Sequence, residues 1–299
     1  MRVSVLGVPD SASAYCVGVE RAPTALRDAG LLEALAGVGA DVVDAGDLTV
    51  RAWAPDRVNR RAQNLGSVVE ATRELAGAAS TLLAESDLLV VLGGSCTVAV
   101  GVCAAVAGRG DRPRVVYIDR HLDLNTPRST VEGSFSWMGM AHALGLEGAA
   151  AELVAATQHG PVLHPSDLVY LGVDIAQATD AERSTARELG ISIVPQAELV
   201  ARPRDAARAA KQALDPGPFV VHVDVDVLDF IDAPIAENVN GRNSGPTLAQ
   251  LGHALVELVR HPDCRALSIG QLDPAHAASD PTAIPRLVDV VAAAVGARR

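Results

Sequence analysis

The sequence predicts an α/β fold in three layers, α-β-α, with a mostly parallel sheet in the middle. Three observations predict it. Short β-branched runs alternate with longer Ala- and Leu-rich stretches along the whole chain, the strand–helix–strand rhythm of a doubly wound domain. Most of these runs are continuously apolar rather than alternating, as strands covered on both faces must be. The Pro- and Gly-rich loops, of which residues 233–246 are the longest, follow strands, where α/β domains keep their sites. The chain has 299 residues, 49% of them hydrophobic. With no linker or composition shift to divide it, residues 1–299 are expected to form a single domain.

The elements follow in order. The run at residues 3–6 is the first strand and the stretch 22–35 the first helix. Residues 58–85 are long enough for two helices, and lead into strand 87–92. Helix 97–106 then connects to strand 115–118. Strand 168–172, helix 180–189 and strand 191–194 make the next unit. Strand 219–223, helix 247–259, strand 266–269 and helix 285–295 complete the pattern.

The formal net charge is −11, and no basic run occurs. Phosphates need clustered Lys and Arg, so nucleic acid and anionic membranes are excluded as partners. An acidic chain suits a cationic small substrate or divalent metals. The opening Met-Arg-Val-Ser-Val-Leu enters a strand without a secretory signal pattern, and no apolar stretch approaches the ~20 residues of a membrane span. Cys16, Cys96, Cys103 and Cys264 lack paired spacing, which argues against a disulfide framework or structural zinc. The cytoplasm is the expected compartment.

Four strand ends carry polar residues that a buried strand does not otherwise tolerate. They are Gly93-Gly94-Ser95-Cys96-Thr97, the run from Asp119 through His121 and Asp123 to Pro127, Asp224-Val225-Asp226, and Gly270-Gln271-Leu272-Asp273-Pro274. In an extended segment alternate side chains share a face, so Asp119, His121 and Asp123 are expected on one side, with Arg120 and Leu122 on the other. Asp224 and Asp226 are expected to share a face by the same rule. Four carboxylates and an imidazole would then converge at one sheet edge. That much negative charge cannot stay ionised unless cations sit within it. Oxygen-rich ligation with one imidazole suits Mn²⁺ better than zinc.

These motifs resemble those of the arginase (ureohydrolase) family, which read Gly-Gly-Asp-His-Ser, Asp-Ala-His-x-Asp-x-Asn-Thr-Pro and Ser-Phe-Asp-x-Asp-x-x-Asp-Pro. The segment Gly18-Val19-Glu20-Arg21-Ala22-Pro23 is similar to that family's Gly-Val-Glu-x-Gly-Pro. The resemblance runs in order from residue 5 to about residue 274. It implies two Mn²⁺ ions, with Asp119 and Asp224 bridging or holding both, His121 binding one, and Asp123 and Asp226 completing the set. It also implies a catalytic role for Asp123 in holding the nucleophilic hydroxide and passing a proton to the leaving amine. Two neighbouring dications acidify a shared water enough to attack a guanidinium carbon near neutral pH.

The departures from the pattern shape the expected substrate. Cys96 stands where the family has a His ligand; as a thiolate it would bind metal and shift preference towards zinc or iron. In this it is similar to the hydroxyarginine hydrolase of D-cycloserine biosynthesis, so an N-hydroxyguanidine enters as a candidate substrate. Ser95 replaces the neighbouring Asp. Ser136 stands where arginases have a proton-shuttling His, within Gly133-Ser134-Phe135-Ser136-Trp137, and is the second catalytic candidate. Gln271 aligns with a Glu that pairs with the guanidinium, keeping an acceptor but losing the charge. Asn125, Ser134, Asp180, Glu182 and Gln271 are the substrate-binding candidates. His222, Trp53, Cys103 and Trp137 read as core or packing, with Trp137 also able to wall the pocket, and His142 has no assigned role.

The leading expectation is a binuclear-metal hydrolase of linear C–N bonds in an arginine- or hydroxyarginine-type compound, releasing urea or hydroxyurea. Another amidine, formimino or amide substrate is the alternative within the same chemistry. A non-catalytic homologue, suggested by Cys96, Ser95 and Ser136, is the alternative outside it. The resemblance also implies a homo-oligomer, a trimer or hexamer.

Overall fold

The computed structural model describes residues 1–239 and 243–298; residues 240–242, in the long loop 233–246, lie outside the description. Eight strands form one sheet: β1 (Arg2–Gly7), β2 (Asp41–Asp47), β3 (Leu88–Leu92), β4 (Val115–Ile118), β5 (Leu168–Val173), β6 (Ser192–Pro195), β7 (Phe219–Asp224) and β8 (Cys264–Gly270). Their order is β2-β1-β3-β8-β7-β4-β5-β6. Every pairing is parallel. The mostly parallel expectation is met by a wholly parallel sheet.

Helices cover both faces. One layer holds α1 (Ala22–Asp28) and α2 (Leu31–Gly37) and, later in the chain, α8 (Gln196–Ala201), α9 (Pro203–Ala213), α10 (Leu248–Val259) and α11 (Ala283–Gly296). The other holds α3 (Leu65–Glu85), α4 (Val98–Gly108), α5 (Gly139–Ala143), α6 (Ala151–Ala156) and α7 (Asp180–Glu188). Two large apolar clusters result, one per face, with a smaller third around Phe135 and Leu153. Val90, Val116, Val221 and Leu267 pack on the first layer, and Leu89, Val115, Leu168 and Ala266 on the second. Strands buried on both sides have no polar positions to alternate, which is why their runs are continuous.

Two expected helices change their bounds, and one strand is additional. The stretch 22–35 divides at Gly30, whose φ of +87° ends one helix and starts the next. The stretch 58–85 is a single helix beginning at Leu65. Before it, Asp56 accepts the amides of Val58, Asn59 and Asn64 and holds residues 56–64 in turns. Strand β2 has no counterpart in the sequence reading. It lies at the sheet edge, mostly exposed and rich in Asp.

The central order has a direct bearing on the site. Strands β3, β8, β7 and β4 are consecutive neighbours, so the four polar strand ends arrive side by side. Below them, one register row crosses the sheet: Tyr170 pairs with Tyr117, Tyr117 with His222, and His222 with Ser268. All four are buried. No described helix is long and apolar enough to cross a membrane.

Candidate metal centre

The strand β3 ends in Gly93 and Gly94, with φ of +82° and +77°. A Cβ on Gly93 would lie 2.6 Å from Pro23 Cδ, and one on Gly94 2.8 Å from Val98 Cγ2. Only glycine allows this turn into α4. The turn carries Cys96 under the site, where its Sγ donates to Asp224 Oδ2 at 2.9 Å. Ser95 turns to the hydroxyls of Ser13 and Thr97 instead of a ligand.

After β4, Asp119 Oδ1 accepts the His121 amide at 2.7 Å and lies 3.3 Å from His121 Nδ1. The chain does not stay extended. Asp123 has a φ of +51°, the left-handed region that Asp tolerates better than most residues. This kink, rather than strand alternation, returns Asp123 to the cluster. It is held from below: Tyr117 Oη donates to Asp123 Oδ2 at 2.5 Å, and Tyr170 Oη donates to the Leu122 carbonyl. After β7 the expected alternation fails too. Asp224 Oδ1 accepts the Asp226 amide at 2.8 Å and opens a 3-10 turn, Val225–Val227, which carries Asp226 to 3.2 Å from His121 Nδ1. Arg120 points away as expected, its guanidinium donating to the carbonyls of Asp226, Leu228 and Ser244.

Two overlapping groups of metal-ligating atoms emerge among the described residues. Cys96, Asp119 and Asp123 form one, and Asp119, His121 and Asp226 the other, each with its atoms within 4.8 Å of one another. Asp119 belongs to both. Asp224 joins the first group through its contact with Cys96.

The electrostatics of this crowd are severe. Burial, then the Asp226 charge, pushes Asp119 up to about 6. Burial and the neighbouring carboxylates push Asp123 and Asp224 well above the carboxylate range. Burial, then Asp224 and its neighbours, likewise raises the Cys96 thiol far above its ordinary value. Asp226 goes the other way: burial opposes its charge, but His121 beside it holds the carboxyl low, and the same contacts raise His121. Asp119 Oδ2 and Asp226 Oδ1 are buried with no hydrogen-bond partner. An ionised carboxylate can only accept, so such oxygens fit a cation.

A cleft of about 530 Å³ leads to this cluster, lined by Tyr15, Cys16, Glu132, Gln177, Glu182 and Glu237 among others. Its floor is a compartment of about 40 Å³ between Cys96, His121, Asp123, Asp224, Asp226, Ser136 and Gln271. Tyr15 and Trp137 line both spaces and meet edge to face at 6.0 Å.

The expected substrate contacts divide. Gln271 and Ser136 line the inner compartment, and Glu182 lines the outer cleft. Glu182 is already engaged there: it accepts the Leu124 amide at 3.1 Å and closes a capping box with Thr179. Asp180 does not reach the cleft. Its side chain is 98% exposed and paired with Arg183. Ser134 sits behind Ser136, bonded to it and to the Ser13 carbonyl. Asn125 is fully buried, accepting from Ser129 and Thr179. Neither is among the lining residues. His222 is a core histidine, bonded to Ser268 at 2.8 Å and pushed by burial to about 3. His142 is buried, bridging the Met138 carbonyl and the Ala150 amide.

Sequence reasoning passed over Tyr117, Tyr170, Tyr15 and Glu237. The tyrosines of β4 and β5 had a signal, a hydroxyl inside an otherwise aliphatic strand. Tyr15 and Glu237 had none, because two loops 222 residues apart must meet before either matters.

Comparison with known proteins shows what the chain as a whole is similar to. Residues 1–293 match the sequence model of the arginase family. The arginase of Bacillus caldovelox is 30% identical over 240 residues, 78% of each chain. Its crystal structure superposes with a TM-score of 0.85 at 26% identity, covering 99% of this chain and 97% of that one. A formimidoylglutamase of Bacillus subtilis shares the fold with a TM-score of 0.75 at 18% identity, over 99% of this chain and 86% of that one.

Proposed function

We propose, because the chain belongs to the arginase family of amidinohydrolases, that it hydrolyses the C–N bond of a guanidino or N-hydroxyguanidino compound and releases urea or hydroxyurea. The observation that carries this reading is the pair of ligand groups sharing Asp119 at the floor of an acidic cleft.

The residues present fit two divalent cations, with Mn²⁺ the proposed metal. Asp119, His121 and Asp226 would hold one, and Cys96, Asp119, Asp123 and Asp224 the other. When bound, the ions neutralise the carboxylates and supply a water acidic enough to act as nucleophile near neutral pH. The protein's own groups do the rest. Tyr117 orients the Asp123 carboxyl by donating to one of its oxygens, and the oxygen that a cation leaves free takes the proton of the attacking water and passes it to the departing amine nitrogen. Tyr15 and Trp137 narrow the entrance and limit bulk water. Ser136 offers a hydroxyl where the amine leaves, a weaker proton carrier than an imidazole, which favours a less basic leaving group such as a hydroxylated one. Glu132, Glu182 and Glu237 make the approach favourable to cations.

Urea and hydroxyurea release over a panel of guanidines and hydroxyguanidines tests the proposal. Turnover with Mn²⁺ present supports it. Turnover of a formimino compound or an amide, with no guanidine accepted, replaces it with the second reading, which the neutral Gln271 favours. A trimer or hexamer in the cytoplasm completes the proposal, and sedimentation analysis tests the assembly.

A further inference from the structure

Gln271 and Glu237 form a built pair at the junction of the two spaces. Glu237 lines the outer cleft and Gln271 the inner compartment. Their backbones are locked together: the Glu237 amide donates to the Gln271 carbonyl and the Asp273 amide to the Ile235 carbonyl, both at 2.8 Å, flanking the bridge of Ala236 with Leu272. Gln271 is further fixed by its own amide, which donates to the Gly94 carbonyl at 2.9 Å, and by a φ of +60°. Their side chains then meet, with Gln271 Nε2 donating to Glu237 Oε2 at 3.4 Å. The other carboxylate oxygen, Oε1, accepts from the Tyr15 amide at 3.3 Å and lies 3.7 Å from Cys16 Sγ.

This contact decides which way the Gln271 amide faces. Turned over, its oxygen would confront the Glu237 carboxylate, two acceptors with no proton between them. With Nε2 held outward, Oε1 is left buried and without a partner, a free acceptor at the edge of the inner compartment. An N–H of the substrate is the natural donor for it. Behind that contact stands a carboxylate outside both ligand groups, and the described residues lining the two spaces include no Lys or Arg.

We infer that Glu237 is the specificity-determining counter-charge for the cationic head of the substrate, acting through Gln271 as the neutral contact between them. The inference rests on the hydrolase reading above and deepens it: the substrate class is a guanidinium-type cation rather than a neutral amide. Two carboxylates or two amides at this junction would behave differently from one of each, which makes the pair testable by exchange.

The test is calorimetric binding of L-arginine against L-citrulline, its uncharged isostere. It is run on the manganese-loaded chain and on the metal-stripped chain, the latter free of turnover heat. Wild type is expected to prefer arginine. Glu237→Gln, close in shape, is expected to lose about tenfold of that preference, the difference between a charged and a neutral acceptor. The exchanged double variant Glu237→Gln, Gln271→Glu is expected to regain it. Glu237→Ala gives the same reading should the single amide variant fail to fold. A wild type without preference for arginine overturns the inference. So does a Glu237 variant that keeps it, or an exchange that does not restore it. Urea and hydroxyurea release over the panel is scored separately, so a chain that binds arginine through Glu237 but releases neither from any guanidine or hydroxyguanidine refutes the hydrolase reading alone.

Discussion

Replacing Asp119 by Asn separates electrostatic stress from metal binding in one variant. In the metal-free chain the Asp119 carboxyl is pushed from an ordinary 3.8 up to about 6 by burial and by Asp226. Its folded value lies above its unfolded one, so the folded chain holds the proton more tightly. The penalty is absent below pH 3.8, grows through pH 6, and is complete above it. At about 1.36 kcal/mol per tenfold, the full penalty is about 3 kcal/mol. Asn keeps an acceptor for the His121 amide now bonded at 2.7 Å, but weakens the attraction to the imidazole by about 1 kcal/mol. The metal-free Asn variant should therefore be more stable than wild type by about 2 kcal/mol at pH 7.5, or roughly 3 °C in Tm for a chain of this size. Near pH 4 the two should coincide. Added Mn²⁺ reverses the ranking. At about a hundredfold excess over its Kd it should stabilise wild type by about 2.7 kcal/mol, while the variant, lacking the carboxylate shared by both ligand groups, gains little. Differential scanning calorimetry with chelator and with Mn²⁺, at the two pH values, reads all four states. A metal-free Asn variant that melts no higher than wild type at pH 7.5, or one that retains the manganese shift, refutes the reasoning.

Three further outcomes follow from contacts described above. Cys96→His should raise Mn²⁺ affinity about tenfold or more, because an imidazole does not need to lose a proton against the Asp224 charge; equilibrium dialysis with unchanged affinity and metal preference removes Cys96 from the ligand set. Asp180→Ala should leave KM unchanged and stability within about 0.5 kcal/mol, since its charge pair is on the surface, whereas Glu182→Ala should cost about 1–2 kcal/mol by removing the acceptor of the Thr179 and Leu124 amides and so breaking the capping box; urea denaturation and steady-state kinetics of the two variants check the contrast. Arg120→Met should cost about 3 kcal/mol or more by removing the guanidinium that donates to the carbonyls of Asp226, Leu228 and Ser244, and chemical denaturation showing near-wild-type stability would count against that role.

The strands around the site were legible because each is a mainly apolar run that stops at a charged residue (β4, β7) or at glycine (β3, β8), as burial on both faces requires. The strand ends that bring the candidate ligands together were legible for the same reason, though their geometry was not. Asp123 returns to the cluster through a left-handed backbone and Asp226 through a 3-10 turn, and neither conformation is encoded in a spacing of two. Strand β2, with Asp41, Asp44 and Asp47, carries little apolar signal because it sits at an edge and faces water. Helix α9 was missed because its buried face is made only of Ala206, Ala207 and Ala210, too weak a stripe to stand out. The pairing of Gln271 with Glu237 depends on a long loop folding back onto the end of β8, a contact that local sequence does not announce.

The sheet order also constrains how the molecule can be made. The places between β3 and β4 are filled by β7 and β8, which a ribosome delivers last. Until residue 219 emerges, two apolar strands present open hydrogen-bonding edges with nothing to join them, and the nascent chain must keep them apart or shielded. The candidate ligands therefore come together late and abruptly, once β7 and then β8 are inserted. Any C-terminal truncation before β7 should yield an aggregating chain rather than a weaker enzyme.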